Sequence, residues 1–309
     1  MKLSIVATLY QSAPHILEFH QRATAAAKQL VGEDYEIILV NDGSPDDSLD
    51  IAVQITESDR HLIVVDLSRN FGHHKAMMTG LRQAKGERVF LIDSDLEEEP
   101  EWLHIFAQKM ESQIFDVVYG VQEYRKGHWF ERWSGKYFYR LFKVLTGLAL
   151  PENIVTARLM TSRYVNALLC HEEREVFMAG LWCITGYAQY AQTIKKHSTS
   201  VSTYTIRIKL ALLVNSVTSF SNAPLVGIFY IGVFLSLFSL IYIGYLFIYW
   251  LFLAKPLGGW TSVMASIWLI GGMIISFIGV VGIYLSKIFS ETKQRPYTIV
   301  RQVYERKKR

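Results

Sequence analysis

Only two cysteines, Cys170 and Cys183, occur in the chain. Their spacing fits no metal-ligand pattern, so they read as free thiols of a reducing compartment. A strong charge of either sign is also missing. The net charge is +4 over 309 residues, without the basic stripe that a nucleic-acid binder would show. The start, MKLSIVATLY, is a short apolar run followed by polar residues and has no small-residue cleavage site. No cleavable signal peptide is read there, and the N-terminal part is expected to stay in the cytosol.

Charge is absent altogether from two long stretches, residues 225–254 and 261–286. About 20 apolar residues suffice for a helix to cross a bilayer, so both are expected to be membrane spans. The link KPLGGW is too short for anything but a hairpin. From Lys287 to the end there are eight Lys or Arg and two Glu, against Lys255 alone in the link. Positive charge marks the cytoplasmic side. The N-terminal region and a basic tail over 290–309 are therefore both expected in the cytosol, with the protein multi-pass in the inner membrane. Residues 203–224 read as amphipathic helices lying on that surface.

The remainder, residues 1–202, alternates strand and helix patterns. LSIVATLY, YEIILVNDGS, HLIVVDLS and RVFLIDSD read as buried strands, separated by helical runs at HILEFHQRATAAAKQLV, SLDIAVQITESD and KAMMTGLRQAKG. Ser48 or Asp47 is expected to cap the second helix and Gly86 to close the third. Alternation of this kind builds a mostly parallel sheet covered on both faces, and ligands bind beyond the carboxyl ends of its strands. The polar motifs fall at those ends: Tyr10-Gln11-Ser12, Asn41-Asp42-Gly43-Ser44, Ser68-Arg69-Asn70-Phe71-Gly72 and Asp93-Ser94-Asp95. VFLIDSDLEEEP places five carboxylates within seven positions after the fourth strand. Carboxylates so close repel one another unless a cation joins them, and hard ions such as Mg²⁺ or Mn²⁺ take carboxylate oxygen together with phosphate.

These motifs, with EIILVNDGSPDDS, DLSRNFGHHKAMMTGLRQAKGERVFLIDSDLEEEPEWL, ARLMTSRYV, SVTSFSNAPL and the two-span end, are spread over nearly the whole chain. Together they resemble the family-2 glycosyltransferases of GT-A (Rossmann-like) fold, in particular the membrane-anchored polyprenyl-phosphate type. The resemblance implies transfer of one sugar from a nucleotide-sugar donor to a polyprenyl-phosphate lipid such as undecaprenyl phosphate, with Mg²⁺ or Mn²⁺. It also implies a homo-oligomer, up to a tetramer. Asp42 then corresponds to a contact of the nucleotide base, Asp93 to a residue near ribose or metal, and Asp95 to the metal ligand that bridges to the diphosphate. Glu97 stands near the metal, where many relatives have Gln. Arg69, Gly72, His73 and Lys75 belong to a loop that closes on the nucleotide, with His73 positioning rather than acting as a base. Thr8, Tyr10 and Ser94 complete the donor set.

The chain departs from the family at Thr8 and Ser12 in the first loop, at Thr156 before ARLM and at Val176 before Phe177. Arg158 reads as a phosphate contact or a buried structural arginine, and the site role is preferred; Asp95 and Arg158 are the catalytic candidates. For the acceptor phosphate, Arg125, Arg132, Lys136 and Arg140 lie in a segment rich in aromatics. The last three repeat every four residues on one helical face. Arg207 and Lys209 flank the membrane and would meet either lipid phosphate or headgroups. A processive polysaccharide synthase would carry a Gln-x-x-Arg-Trp motif and more spans, and neither is present. A membrane scaffold or flipping partner on an inactive transferase fold is the remaining alternative.

Overall fold

Strands β1 (Leu3–Leu9) and β2 (Tyr35–Asn41) are buried at every position. Such uninterrupted burial belongs to central strands covered on both faces. In the computed structural model, which describes residues 1–122, 140–148, 150–151, 153–195, 214–252 and 259–306, they lie at the middle of one sheet. Its other strands are β3 (Leu62–Leu67), β4 (Arg88–Leu91), β5 (Val117–Gln122), β6 (Ile154–Thr161), β7 (Gln189–Ile194) and β8 (Val300–Glu305), in the order β7-β5-β6-β4-β1-β2-β3-β8. The neighbouring pairs among β4, β1, β2 and β3 are parallel, as expected. β6 runs antiparallel to both β4 and β5, and β8 runs antiparallel to β3, so the sheet is mixed.

The parallel strands are connected by α1 (Ile16–Val31), α2 (Ser48–Ser58) and α3 (His73–Gln83), while α4 (Trp102–Ser112) follows β4. Helix α1 buries Phe19, Ala23, Ala26 and Ala27, one apolar stripe at helical spacing. Helix α3 lies so close to the sheet that a Cβ on Gly80 would meet Val6 and Val40 side chains at 2.5 and 2.9 Å. Asp47 stands at the α2 N-cap position, as expected, but without a side-chain cap bond; Asp46 Oδ1 accepts from the Ser48 N–H. Helix α3 ends at Gln83 rather than at Gly86. Helices α5 (Ser162–Leu169) and α6 (Met178–Ile184) complete this part.

The chain forms two compact units. The first comprises Met1–Tyr139, Leu148–Tyr204 and Arg295–Arg309; the second comprises Arg140–Gly147 and Thr205–Gln294. Within the stretch expected as a basic tail, 290–309, Arg295–Arg309 belongs to the first unit and adds β8 to its sheet. In the second unit, α7 (Ala223–Phe252) has 30 residues and α8 (Trp260–Thr292) has 33. Among the described residues, Ser266–Thr292 is long and apolar enough to cross a membrane by itself. Val214–Phe220 and Ala223–Leu235 meet the same criterion only together, across a bend of 89°. Tyr284 donates to the Ser221 carbonyl at 2.6 Å, and Lys287 Nζ to Ser219 Oγ at 2.8 Å.

Candidate active site

The four parallel strands end side by side, and their polar ends are tied together. Asp42, just past β2, is 2% exposed. Its Oδ1 accepts from the Phe71 N–H at 2.7 Å and its Oδ2 from the Gly72 N–H at 3.0 Å. The residue expected at the nucleotide base therefore holds the loop between β3 and α3. Burial raises its pKa; those two N–H donors, with His73 and Arg69 nearby, only partly oppose the shift. Gly43 permits the arrangement. Its φ is +60°, and a Cβ there would run into the backbone of Arg69 and Asn70.

His73 opens α3 and joins two other strand ends. Its Nδ1 shares a hydrogen bond of 2.9 Å with Thr8 Oγ1, and its Nε2 lies 3.3 Å from Asp93 Oδ1. Desolvation alone would lower the imidazole pKa. The bond to Asp93, with the charges of Asp42 and Asp95, outweighs that and raises it above the ordinary value. Ser94 Oγ, buried, donates to the Thr8 carbonyl at 2.7 Å. Thr8, Asp42, Gly72, His73, Asp93 and Ser94 are thus brought together. Tyr10 and Arg69 are exposed at the rim, with the Arg69 guanidinium 4.1 Å from the Phe71 ring centre. Lys75 is half-buried in the first turn of α3.

Among the described residues, no three His, Cys, Asp or Glu side chains gather as a metal cluster. Leu96 has φ +61°, and this tight turn directs the Glu97 N–H, at 3.0 Å, to Asp95 Oδ1. Asp93 is half-buried and Asp95 exposed. A pair of carboxylates fits a hard divalent ion whose other ligands are substrate phosphates and water. Glu98 is tied down on a neighbouring strand. It is 1% exposed, and its Oε1 accepts from the Thr156 N–H at 2.9 Å.

Arg158 is fully buried on β6, opposite Leu91 of β4. Nε and Nη2 donate to the Thr156 and Val155 carbonyls at 3.1 and 3.2 Å, and the guanidinium lies over the Trp182 ring. Burial pulls its pKa down to about 9. Direct contact with a phosphate, the role preferred from the sequence, is thereby corrected to a covered position. Arg140 is exposed in the second unit. Arg125, Arg132, Lys136, Arg207 and Lys209 lie outside the described residues.

The sequence departures mark parts that motif reading missed. Ser12 Oγ lies 3.2 Å from Ser94 Oγ, and the Ser12 N–H donates to Ser48 Oγ at 3.0 Å. His74 Nδ1 donates to the Val176 carbonyl at 3.1 Å, and burial lowers the pKa of this imidazole. Asp46 staples two loops: its Oδ1 accepts from the Ser44 and Ser48 hydroxyls, both at 2.5 Å, and its Oδ2 from the Ala13 N–H at 3.2 Å. Clustered Ser and Asp in SPDDS gave only a turn signal.

Desolvation would raise the Asp46 pKa, but these bonds prevail and hold it at about 2, below the ordinary 3.8. A depressed carboxyl contributes stability that is complete above its unfolded value and is lost as pH falls through its folded value. Between about pH 4 and pH 2, the wild-type melting temperature is therefore expected to fall more steeply than that of Asp46→Asn, which should start lower at neutral pH. Parallel slopes in a thermal-melt series would remove Asp46 from the acid response.

Comparison with known proteins agrees in one direction. The Glycosyl transferase family 2 profile matches residues 4–169. A Mycobacterium tuberculosis protein whose name places it among the glycosyltransferases is 52% identical over 304 residues, 98% of this chain and 89% of that protein. The bactoprenol glucosyl transferase of Shigella phage SfV is 28% identical over 304 residues, 97% and 98% of the two chains. Glucosyl-3-phosphoglycerate synthase from Mycobacterium tuberculosis, solved with phosphoglyceric acid, aligns with a TM-score of 0.49 at 17% identity, over 71% of this chain and 80% of that one.

Proposed function

The chain belongs to glycosyl transferase family 2, and from that premise we propose that it moves one sugar from a nucleotide-sugar donor to a polyprenyl phosphate at the cytosolic face of a membrane, inverting the anomeric centre. The observation that carries the reading is the convergence of Thr8, Asp42, Gly72, His73 and Asp93 at the carboxyl ends of four adjacent parallel strands, where open α/β sheets take their ligands. The charge-free stretches 225–254 and 261–286 and the phage relative's name support a lipid acceptor. Both helices cross the membrane as a hairpin in this reading, with the first unit and both termini in the cytosol.

The donor's base and ribose lie against the Asp42–Gly72 loop, and its diphosphate faces the N-terminal end of α3. His73, whose pKa its carboxylate neighbours raise, and the free end of the helix dipole face the diphosphate there. Asp93 and Asp95 would hold the divalent ion, which when bound neutralises charge on the departing nucleoside diphosphate. Lys75 and Arg69 add positive charge at the rim. Arg158 works from beneath Trp182 as a fixed charge behind the β4 end, without touching substrate.

The nucleophile needs little activation. A phosphomonoester loses its second proton near pH ~6, so the lipid phosphate arrives as an oxyanion. Its oxygen attacks the anomeric carbon as the nucleoside diphosphate leaves from the opposite face, and no proton changes hands. The protein's work is to hold the two anions in line and to exclude water. Arg125, Arg132, Lys136, Arg140, Arg207 and Lys209 are the cations proposed to hold the acceptor phosphate. An acceptor that needs no base accounts for Thr156 at a position where the family resemblance implies an acid.

The full chain in detergent, given undecaprenyl phosphate, Mn²⁺ or Mg²⁺ and a panel of UDP-, GDP- and dTDP-sugars, is expected to form a sugar-lipid from one donor, detected by mass spectrometry. Its anomeric configuration should be opposite to the donor's. A retained configuration removes the direct displacement. No product from any donor in folded protein removes the transfer reading.

A further inference from the structure

Strand β8 reaches the sheet from the far end of the sequence and carries an irregularity at one place. Val65 pairs with Val303 and Asp66 with Gln302, but Leu67 pairs with Val300, so Arg301 is the extra residue. A bulge turns a side chain out of the regular alternation, and Arg301 reaches back over β3. Its Nη1 lies 3.3 Å from Asp66 Oδ2, and its Nη2 donates to the Ser68 carbonyl at 2.7 Å. Asp66 is fully buried. Its Oδ1 accepts from Asn41 Nδ2 at 2.8 Å, and Asn41 Oδ1 accepts from the Ser44 N–H at 3.2 Å. One connected path therefore runs from β8 through β3 to the turn after β2. Ser68 begins the Ser68–Gly72 loop held from its other side by Asp42.

The residues before Arg301 are fixed as well. The Ser68 N–H donates to the Ile299 carbonyl at 2.9 Å, and Thr298 Oγ1 lies 2.8 Å from Thr79 Oγ1 on α3. The Arg82 guanidinium sits 5.1 Å from the Tyr297 ring centre. Tyr297–Arg301 thus contacts both β3 and α3, the two elements that flank the loop.

Resting on the family reading of a nucleotide-sugar donor, we propose that β8 is a positioning strand for the two nucleotide loops. Arg301 is its working residue, acting through Asp66 and Asn41 on the Ser44 turn and through the Ser68 carbonyl on the Ser68–Gly72 loop. The affected ligand is the nucleoside diphosphate part of the donor. Arg301 makes no contact with it.

The test titrates the full chain in detergent with UDP, GDP and dTDP, each with Mn²⁺, by calorimetry, for wild type, Arg301→Ala, Arg301→Lys and the exposed neighbour Gln302→Ala. The nucleotide that binds wild type is expected to bind Arg301→Ala on the order of tenfold more weakly. Arg301→Lys should fall between, since an ammonium lacks the planar fork that serves two acceptors, and Gln302→Ala should match wild type. In turnover, the donor KM should rise while kcat changes by less than about twofold. Amide exchange should quicken over residues 68–72 and stay unchanged in β1 and α1. Equal affinity in Arg301→Ala overturns the inference alone. So does a general loss of protection that Arg301→Lys fails to restore. A wild type that binds none of the three nucleotides overturns the donor reading, and this inference with it.

Discussion

Asp95→Ala is expected to cut turnover on the order of a thousandfold or more while leaving the protein folded. Asp95 is exposed, beyond the end of β4, and accepts the Glu97 N–H at 3.0 Å. Losing one exposed turn bond costs about 0.5–1.5 kcal/mol at most, so the melting temperature should move little. The kinetic loss is far larger because the leaving nucleoside diphosphate gathers negative charge as its bond to the sugar breaks. A stabilising charge absent at that moment is felt in full. Asp95→Asn separates the two effects. Its amide oxygen keeps the Glu97 bond and therefore the turn, but it carries no charge to hold a divalent ion. It should be nearly as inactive as the alanine variant, and its donor binding should lose the difference that Mn²⁺ makes in wild type. If Asp95→Asn turns over within about threefold of wild type, the carboxylate charge is not required and the assigned role of Asp95 falls.

The four parallel strands were legible because their apolar runs, IVATL and IILVN among them, end abruptly in polar turns. Strands buried on both faces cannot tolerate such interruptions, so the boundaries show in the residues themselves. The later strands are hidden for particular reasons. β6 carries Arg158 at a fully buried position, and a charge there argues against a strand until its carbonyl partners and the Trp182 ring are seen. β8, VRQVYE, is largely exposed and sits within a strongly basic segment. Its partner lies more than two hundred residues away, and an edge strand needs no apolar pattern on its outer side. At the site, side-chain identities pointed to the right strand ends but could not tell who holds whom. The donors to Asp42 are backbone N–H groups of Phe71 and Gly72, and a backbone donor leaves no signature in the sequence. The turn that ties the Glu97 N–H to Asp95 has a similar origin, since the positive φ of Leu96 belongs to a residue that rarely adopts it.

Asp42 offers the sharpest separation between a direct nucleotide contact and a brace. Both carboxylate oxygens accept from the Phe71 and Gly72 N–H groups, and hydrogen bonds to a charged acceptor contribute about 1.5–3 kcal/mol each. Asp42→Ala removes both acceptors. The loop can turn its two N–H groups to water, but it is then no longer held against the strand ends. Donor affinity is expected to fall by about ten- to a hundredfold, with a lower melting temperature. Asp42→Asn should be intermediate. Its oxygen keeps one N–H, while its NH₂ meets the other donor head on. Amide exchange without nucleotide decides between the roles. A brace predicts faster exchange at Phe71 and Gly72 in both variants before any ligand is added, ordered as the affinities are. A contact made only with the base predicts unchanged exchange in the free protein and a loss confined to binding. Unchanged exchange with lost affinity would return Asp42 to the nucleotide base and leave the closing of the loop to the donor itself.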